Sequence, residues 1–280
     1  MVPSKAMVIM TNLFLLLIGV DPNSQPDMAF EEHTVSACLR YNAGWTLLHL
    51  GACVLMHVLL SIGLKFDLFT TTGPVRPVSA GLIINFIVVD FITNIILSVF
   101  YAWVTRPSAV PWSFENPNIL ELIVTIFAYQ VLQDLWHYPT HRFLHATQST
   151  WLREMHSHHH KEAKATIAMN CFDLMNLHPL EYWLTISPAY VAGLWLSYTV
   201  PLFLGFSPNF LASHFAALIT FTIECLGHSN VDLPVPYILR SLGYSSCSDH
   251  AVHHMNPHHN YSIFFTFLDR MFGTYREHSI

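Results

Sequence analysis

Histidine is concentrated in one part of this sequence, at spacings that could build a metal site. Fifteen of the 19 histidines lie between residues 137 and 259. Neutral imidazole is the commonest metal ligand in proteins, and residues three or four apart share one face of a helix. The first cluster has histidines four residues apart, and the other two each read H-x-x-H-H. Their members are His137, His141 and His145; His156, His159 and His160; and His250, His253 and His254.

The number of imidazoles indicates more than one metal ion. A catalytic zinc takes three protein ligands and a structural zinc takes four, so eight or more histidines predict two metals. An all-nitrogen ligand shell suits iron, copper or zinc. The zinc-protease motif H-E-x-x-H is absent, and a metal transporter would carry its ligands along the membrane spans or in a low-complexity loop. Asp134 precedes His137 by three residues, so we expect its carboxylate to hold the second nitrogen of a ligand imidazole.

The elements that must position these histidines are predicted to be membrane helices. The sequence is 52% hydrophobic and 11% charged, its mean hydropathy is +0.40, and about 20 apolar residues cross a bilayer. We find no internal repeat. The predicted spans are Ala6–Val20, Asn42–Leu64, Val78–Trp103, Ile119–Leu135, Leu180–Phe206 and Asn209–Leu226. Pro188 and Pro201 are expected to break the span Leu180–Phe206.

The distribution of positive charge predicts the orientation of these spans. If all spans are retained, ten of the 12 Lys and Arg residues fall on the face that carries the histidine clusters. The positive-inside rule then places the clusters in the cytosol. Ala6–Val20 is favoured as a retained span, with a cleaved signal peptide as the alternative. Asp90, inside the third span, is either functional or hydrogen-bonded to a neighbouring helix.

The remaining composition excludes other classes of protein. A net charge of −6 with 12 basic residues argues against nucleic-acid binding. Five cysteines, an odd number without C-x-x-C spacing, exclude a disulfide scaffold and read as buried thiols.

The histidine motifs, in their order along the chain, resemble those of the fatty acid hydroxylase/sterol desaturase superfamily of membrane di-iron oxygenases. Within it the chain looks most like the sterol 4-methyl oxidase and sterol 5-desaturase branch. The matching stretches are Asp134 to His145, His156 to His160, His178-Pro179-Leu180-Glu181, Glu224 to Ser229, His250 to His254, Asn260-Tyr261-Ser262, and Phe267 to Tyr275.

The resemblance implies an all-α integral membrane bundle with a cytosolic, histidine-rich helical cap. Residues 1–118 would form N-terminal transmembrane spans, and residues 119–280 a catalytic domain. Asp134 would support the ligands, and His178 and His228 would be additional ligands. The ligands that it implies for two iron ions are His137, His141, His156, His159, His160, His250, His253 and His254.

The resemblance also implies an oxidoreductase of the endoplasmic reticulum membrane that hydroxylates or desaturates a sterol or another lipid-like substrate with O₂. Electrons would come from NAD(P)H through a separate donor, cytochrome b5 and its reductase. One alternative is a terpenoid or polyketide hydroxylase with the same chemistry. A non-enzymatic alternative is a catalytically dead lipid-binding membrane protein.

Overall fold

The computed structural model describes residues 35–105, 113, 115–166, 168–205, 207–233 and 237–277. The predicted span Ala6–Val20 lies outside these residues. The helices of the described chain are joined by loops, and its one sheet is a short antiparallel ladder between β1 (Thr70–Thr71) and β2 (Val231–Asp232), which confirms the predicted all-α class. The helices are α1 Val35–Lys65, α2 Ala80–Thr105, α3 Ile119–Ala146, α4 Thr150–Thr166, α5 Pro179–Thr185, α6 Ser187–Phe203, α7 Phe210–Gly227, α8 Tyr237–Ser241, α9 Cys247–Met255 and α10 Phe267–Met271.

Among the described residues, three helical stretches are long and apolar enough to cross a membrane: Leu39–Lys65, Ile119–Ala146 and Phe210–Gly227. A shorter apolar stretch, Ala80–Ile96, lies in α2. These four helices pack against one another as a bundle, with the closest association between α3 and α7 and between α1 and α2. Exposed leucine, isoleucine and valine side chains on α1, α2 and α3 face away from the bundle, as lipid-facing residues do.

The structure divides the predicted span Leu180–Phe206 into α5 and α6 at Ile186, beside the predicted break at Pro188, whereas Pro201 lies inside α6. Pro188 stands in the first turn of α6, where its missing N–H and fixed φ favour a helix start. Because Pro188 has no N–H, the carbonyl of Leu184 lacks the helical hydrogen-bond donor that residue 188 would otherwise supply. The indole Nε1 of Trp136 donates to this carbonyl at 2.8 Å, so a side chain of α3 replaces the missing donor.

The intramembrane carboxyl group of Asp90 is fully partnered inside the bundle. Its two oxygens accept hydrogen bonds from His49 Nδ1 and Asn94 Nδ2, each at 2.8 Å. The His49 ring stacks on Phe221 of α7, with 3.9 Å between ring centroids. A buried polar group costs little when it is hydrogen-bonded, so these contacts support the structural interpretation of Asp90.

Short elements assemble at the ends of α3 and α7 and complete the histidine-rich cap. Asn118 caps the start of α3 by accepting from the Glu121 N–H at 2.8 Å. Ser246 and Asp249 form a reciprocal capping box that fixes the start of α9. Of the helices that carry the three histidine clusters, α4 packs against α3 and α9, and both of these also pack against α7.

Candidate metal centre

The structure gathers nine histidines into two groups, and within each group the candidate ligand nitrogens lie within 4.8 Å of one another. The first group takes its members from α3, α4 and α9, and the second from α4, α9 and the residue after α7. We call them the first and second histidine groups. The first is His141, His145, His156, His160 and His253, and the second is His159, His228, His250 and His254.

The two H-x-x-H-H motifs are each shared between the groups. On α4, His156 and His160 face the first group, whereas His159 faces the second. On α9 the assignment is reversed: two histidines four residues apart, His250 and His254, belong to the second group, and the one between them belongs to the first. Positions i and i+4 stack along one face of a helix, and position i+3 is rotated from it. The motif therefore serves two adjacent sites from one helix turn.

The ring nitrogens converge at the spacing of a metal-ion ligand shell. In the first group His156 Nε2 lies 2.7 Å from His145 Nε2 and 3.1 Å from His160 Nε2. In the second group His250 Nε2 lies 3.0 Å from the Nε2 atoms of His228 and His254. At the metal–nitrogen distance of about 2.0–2.1 Å typical of zinc, neighbouring ligand nitrogens lie about 2.9–3.4 Å apart. The spacing therefore fits first-row metal ions.

Hydrogen bonds at the opposite nitrogens explain why these atoms point inward. His141 Nδ1 donates to the carbonyl of Tyr261 at 3.1 Å, and His253 Nδ1 donates to that of His259 at 2.7 Å. In the second group His228 Nδ1 donates to the carbonyl of its own helix at Glu224, at 3.0 Å. A carbonyl can only accept, so each Nδ1 carries the proton and each Nε2 presents a lone pair. Facing lone pairs repel unless a cation lies between them, and the residues present therefore fit bound metal.

Burial keeps these imidazoles in the form that binds metal. Removal from water lowers the pKa of His228 to about 4, and it lowers the pKa of His250, His253 and His254 well below the usual 6.5. Neighbouring imidazoles lower the pKa of these last three further, because two positive charges cannot be held close together. The histidines are therefore neutral at pH 7, as metal ligation requires.

A buried carboxyl group supports the first group. His156 Nδ1 lies 2.5 Å from Glu181 Oε1, and both side chains are almost fully buried. Burial raises the pKa of Glu181 to about 8. A carboxyl group on the second nitrogen of a ligand histidine fixes its ring and its tautomer. In the sequence Glu181 lies three residues after His178, and no role is predicted for it there. The fold brings it instead to a histidine 25 residues earlier.

Two histidines of the predicted ligand set lie outside both groups. His137 Nε2 contacts His141 Nδ1 at 2.9 Å, on the side of that ring away from the first group. His145, one turn further along α3, occupies the place expected for His137. The pairs 137/141 and 141/145 have the same spacing, so the spacing alone could not select between them.

His178 is the other predicted ligand that the structure does not bring to the site. It is exposed, and its Nδ1 accepts from the Leu180 N–H at 3.2 Å as the N-cap of α5. The remaining predicted ligands, His228 included, lie within the two groups. His158, in the same run as His156, is exposed, so the H-x-x-H-H register of that run is the one that the structure uses.

Asp134 does not hold a ligand imidazole, contrary to expectation. Its carboxyl oxygens accept backbone N–H groups of residues 263, 264 and 265 at 2.6–3.2 Å. This contact positions the chain just after Tyr261, whose carbonyl accepts from His141. Asp134 therefore acts on the first group through the C-terminal backbone. Local sequence could not have indicated this, because the partners are about 130 residues away.

Comparisons with known proteins identify the family of the chain. The sequence profile of the fatty acid hydroxylase family matches residues 126–274. Cholesterol 25-hydroxylase-like protein 1, member 2 of Danio rerio is 23% identical over 181 residues, which cover 62% of this chain and 58% of the relative. Methylsterol monooxygenase 1 of Gallus gallus is 28% identical over 167 residues, covering 59% of this chain and 51% of the relative.

A third relative, the very-long-chain aldehyde decarbonylase GL1-9 of Oryza sativa, is 28% identical over 170 residues, covering 59% of each chain. The chain thus spans between half and three fifths of the length of these relatives. No solved structure matches it significantly. The matched segment makes up more than half of the 280 residues and contains both histidine groups. The chain therefore belongs to the fatty acid hydroxylase family.

Proposed function

We propose that this protein is a membrane-bound di-iron oxygenase that hydroxylates a sterol or another lipid-like substrate. The observation that carries the proposal is the pair of histidine groups, which supplies nine imidazoles at ligand spacing beside three span-length helices. The relatives named as a hydroxylase and a monooxygenase support the same reaction class.

The two groups would each hold one iron ion, the first with five histidines and the second with four. Bound iron supplies the O₂ activation that amino-acid side chains cannot perform on an unactivated C–H bond. His159 lies next to His160 on α4, and His253 next to His254 on α9, so two helices tie the groups together. Their burial excludes bulk water, which protects a reactive site from side reactions.

The chain contributes to the chemistry by fixing the tautomers of its ligand histidines. The carbonyls of Tyr261, His259 and Glu224 and the carboxyl group of Glu181 hold four rings in one orientation. Such support keeps a ligand shell preorganised while the charge of the site changes. The reducing equivalents would come from NAD(P)H through a separate donor of the cytochrome b5 type.

We also propose that the site faces the cytosol at the endoplasmic reticulum membrane. Among the described residues, Lys65, Arg76, Arg142, Arg153 and Arg240 flank the histidine-bearing ends of the helices, in keeping with the positive-inside rule. A lipid substrate would then reach the site from the bilayer.

Lipid mass spectrometry on cells expressing the chain tests this function. The wild type should produce lipids shifted by one oxygen atom, or by the loss of two hydrogen atoms if the reaction is a desaturation. His253→Ala should abolish the shift. His158→Ala, which changes an exposed histidine between ligands of both groups, should retain it. Equal product from wild type and His253→Ala would refute the assignment. If iron-loaded wild type leaves sterols and other host lipids unchanged, the proposed substrate class is wrong.

A further inference from the structure

The C-terminal segment, residues 261–272, packs along α3 at a depth that belongs to the bilayer. α3 has 28 residues, and a perpendicular span needs about 20. A window of that length within Ile119–Ala146 starts no later than residue 127 and ends no earlier than residue 138. For a span of this length, residues 127–138 of α3 lie inside the hydrocarbon layer wherever the window is placed.

The contacts of the C-terminal segment fall within this stretch of α3. The ring of Phe265 lies edge-on against Phe127, with 5.5 Å between centroids. Tyr138 stacks with Phe272 at 5.4 Å. Asp134, between these two points, accepts the N–H groups of residues 263–265. The segment thus follows α3 for about three turns.

The backbone N–H groups of six consecutive residues in this non-helical stretch are all satisfied by the protein. Asp269 accepts from Tyr261 and Ser262, each at 2.9 Å. Asp134 accepts from the next three residues, and the carbonyl of Gly243 accepts from Thr266 at 2.7 Å. Non-helical backbone occurs at membrane depth only where its polar groups are paired internally or line a water-filled cavity.

The outer side of the segment is apolar apart from Arg270, which is exposed. Met271 is 64% exposed and Phe272 is 53% exposed. They continue the lipid-facing surface of α3, on which Phe127 is 51% exposed. The one cationic side chain here, Arg270, is held by the protein: its Nε donates to Thr266 Oγ1 at 3.1 Å, and its guanidinium lies 3.9 Å from the Tyr275 ring centroid.

We infer that residues 261–272 form a re-entrant segment within the cytosolic leaflet, with Met271 and Phe272 in contact with lipid acyl chains. Asp134 is then the group that makes this entry possible, because it satisfies three amides where water cannot. The backbone at Tyr261, whose carbonyl accepts from His141 of the first histidine group, is then anchored at membrane depth.

Cysteine accessibility in the purified full-length chain, reconstituted in phosphatidylcholine vesicles and opened to expose both faces, tests this inference. Met271→Cys and Phe272→Cys should react with a charged, water-soluble maleimide at least about tenfold more slowly than His258→Cys, because a thiol in hydrocarbon does not ionise. All three positions are exposed on the protein itself, so burial within the protein cannot produce the difference. Wild-type vesicles give the background from native cysteines.

Labelling of Met271→Cys and Phe272→Cys at the rate of His258→Cys would overturn the inference. Fast labelling in these vesicles combined with protection in native membranes would also overturn it, because it would assign the surface to a protein partner. Slow labelling that becomes fast when the vesicles are dissolved in denaturing detergent is the expected result.

Discussion

Replacing Asp134 by alanine should destabilise the whole chain, although Asp134 touches no metal ligand directly. Its carboxyl oxygens accept three backbone amides, from residues 263, 264 and 265, and the side chain is fully buried. Alanine leaves those amides without a partner, and α3 and the C-terminal segment shield them from water.

The magnitude follows from the three amides. Each buried donor left unpaired costs about 1–3 kcal/mol, so Asp134→Ala should lower the free energy of unfolding by about 3–9 kcal/mol. Asp134→Asn keeps one acceptor oxygen and should lose roughly half as much. For a chain of this size, about 3 kcal/mol corresponds to a fall of about 6 °C or more in Tm.

The assay is thermal unfolding of the purified chain in detergent, with metal content measured on the same samples. Because the segment carries the Tyr261 carbonyl that accepts from His141, the Asp134→Ala chain should also hold less metal. Asp67→Asn is a control, since Asp67 is exposed in a loop at positive φ that asparagine tolerates. An unchanged Tm for Asp134→Ala would refute the role assigned to these three hydrogen bonds.

Three further predictions concern the site and the bundle. Glu181→Ala should weaken metal binding about 10- to 100-fold in a chelator competition, because the second nitrogen of a ligand histidine loses its acceptor; unchanged affinity would contradict the supporting role. The Tm of the metal-free chain should fall as the pH is lowered from about 6.5 to about 4. Burial lowers the pKa of His228 to about 4, so the unfolded state binds more protons than the folded state in this range. A Tm that stays constant or rises as the pH falls would be inconsistent with buried neutral imidazoles. Gly193→Ala should lower the free energy of unfolding by about 1–3 kcal/mol, because its Cβ would lie 2.7 Å from the Tyr129 ring. Gly51→Ala, whose Cβ would have no atom within 4 Å, should be neutral or stabilising. Equal effects of the two substitutions would contradict close packing of α6 on α3.

Local pattern predicted much of the fold, because helix spacing and apolar length act over short stretches of chain. The predicted span Asn42–Leu64 lies within α1, and the predicted span Asn209–Leu226 begins at the N-cap of α7 and ends one residue before it does. Pro188 predicts a break in Leu180–Phe206, but the donor that satisfies the freed carbonyl is Trp136, which belongs to another helix. A window of apolar residues contains no information on that distant donor.

The ligand assignment shows the same limit within the site. Both H-x-x-H-H motifs were identified from their spacing, and their division between two groups follows from helix geometry. On α3, however, three histidines recur every four residues, and the choice of His145 over His137 depends on where α4 and α9 approach. Glu181 and the carbonyls of Tyr261 and His259 became visible as supports only once distant segments were in contact.

Metal content by elemental analysis of the purified chain, combined with one substitution in each histidine group, tests the central claim most directly. The wild type should bind about two iron ions per chain, since an iron site built from three to five imidazoles fits each group. His145→Ala and His250→Ala should each reduce that content, in the first and second group respectively, while His158→Ala should leave it unchanged. One metal ion or none in the wild type, or unchanged content in both ligand variants, would contradict the account of two adjacent metal sites.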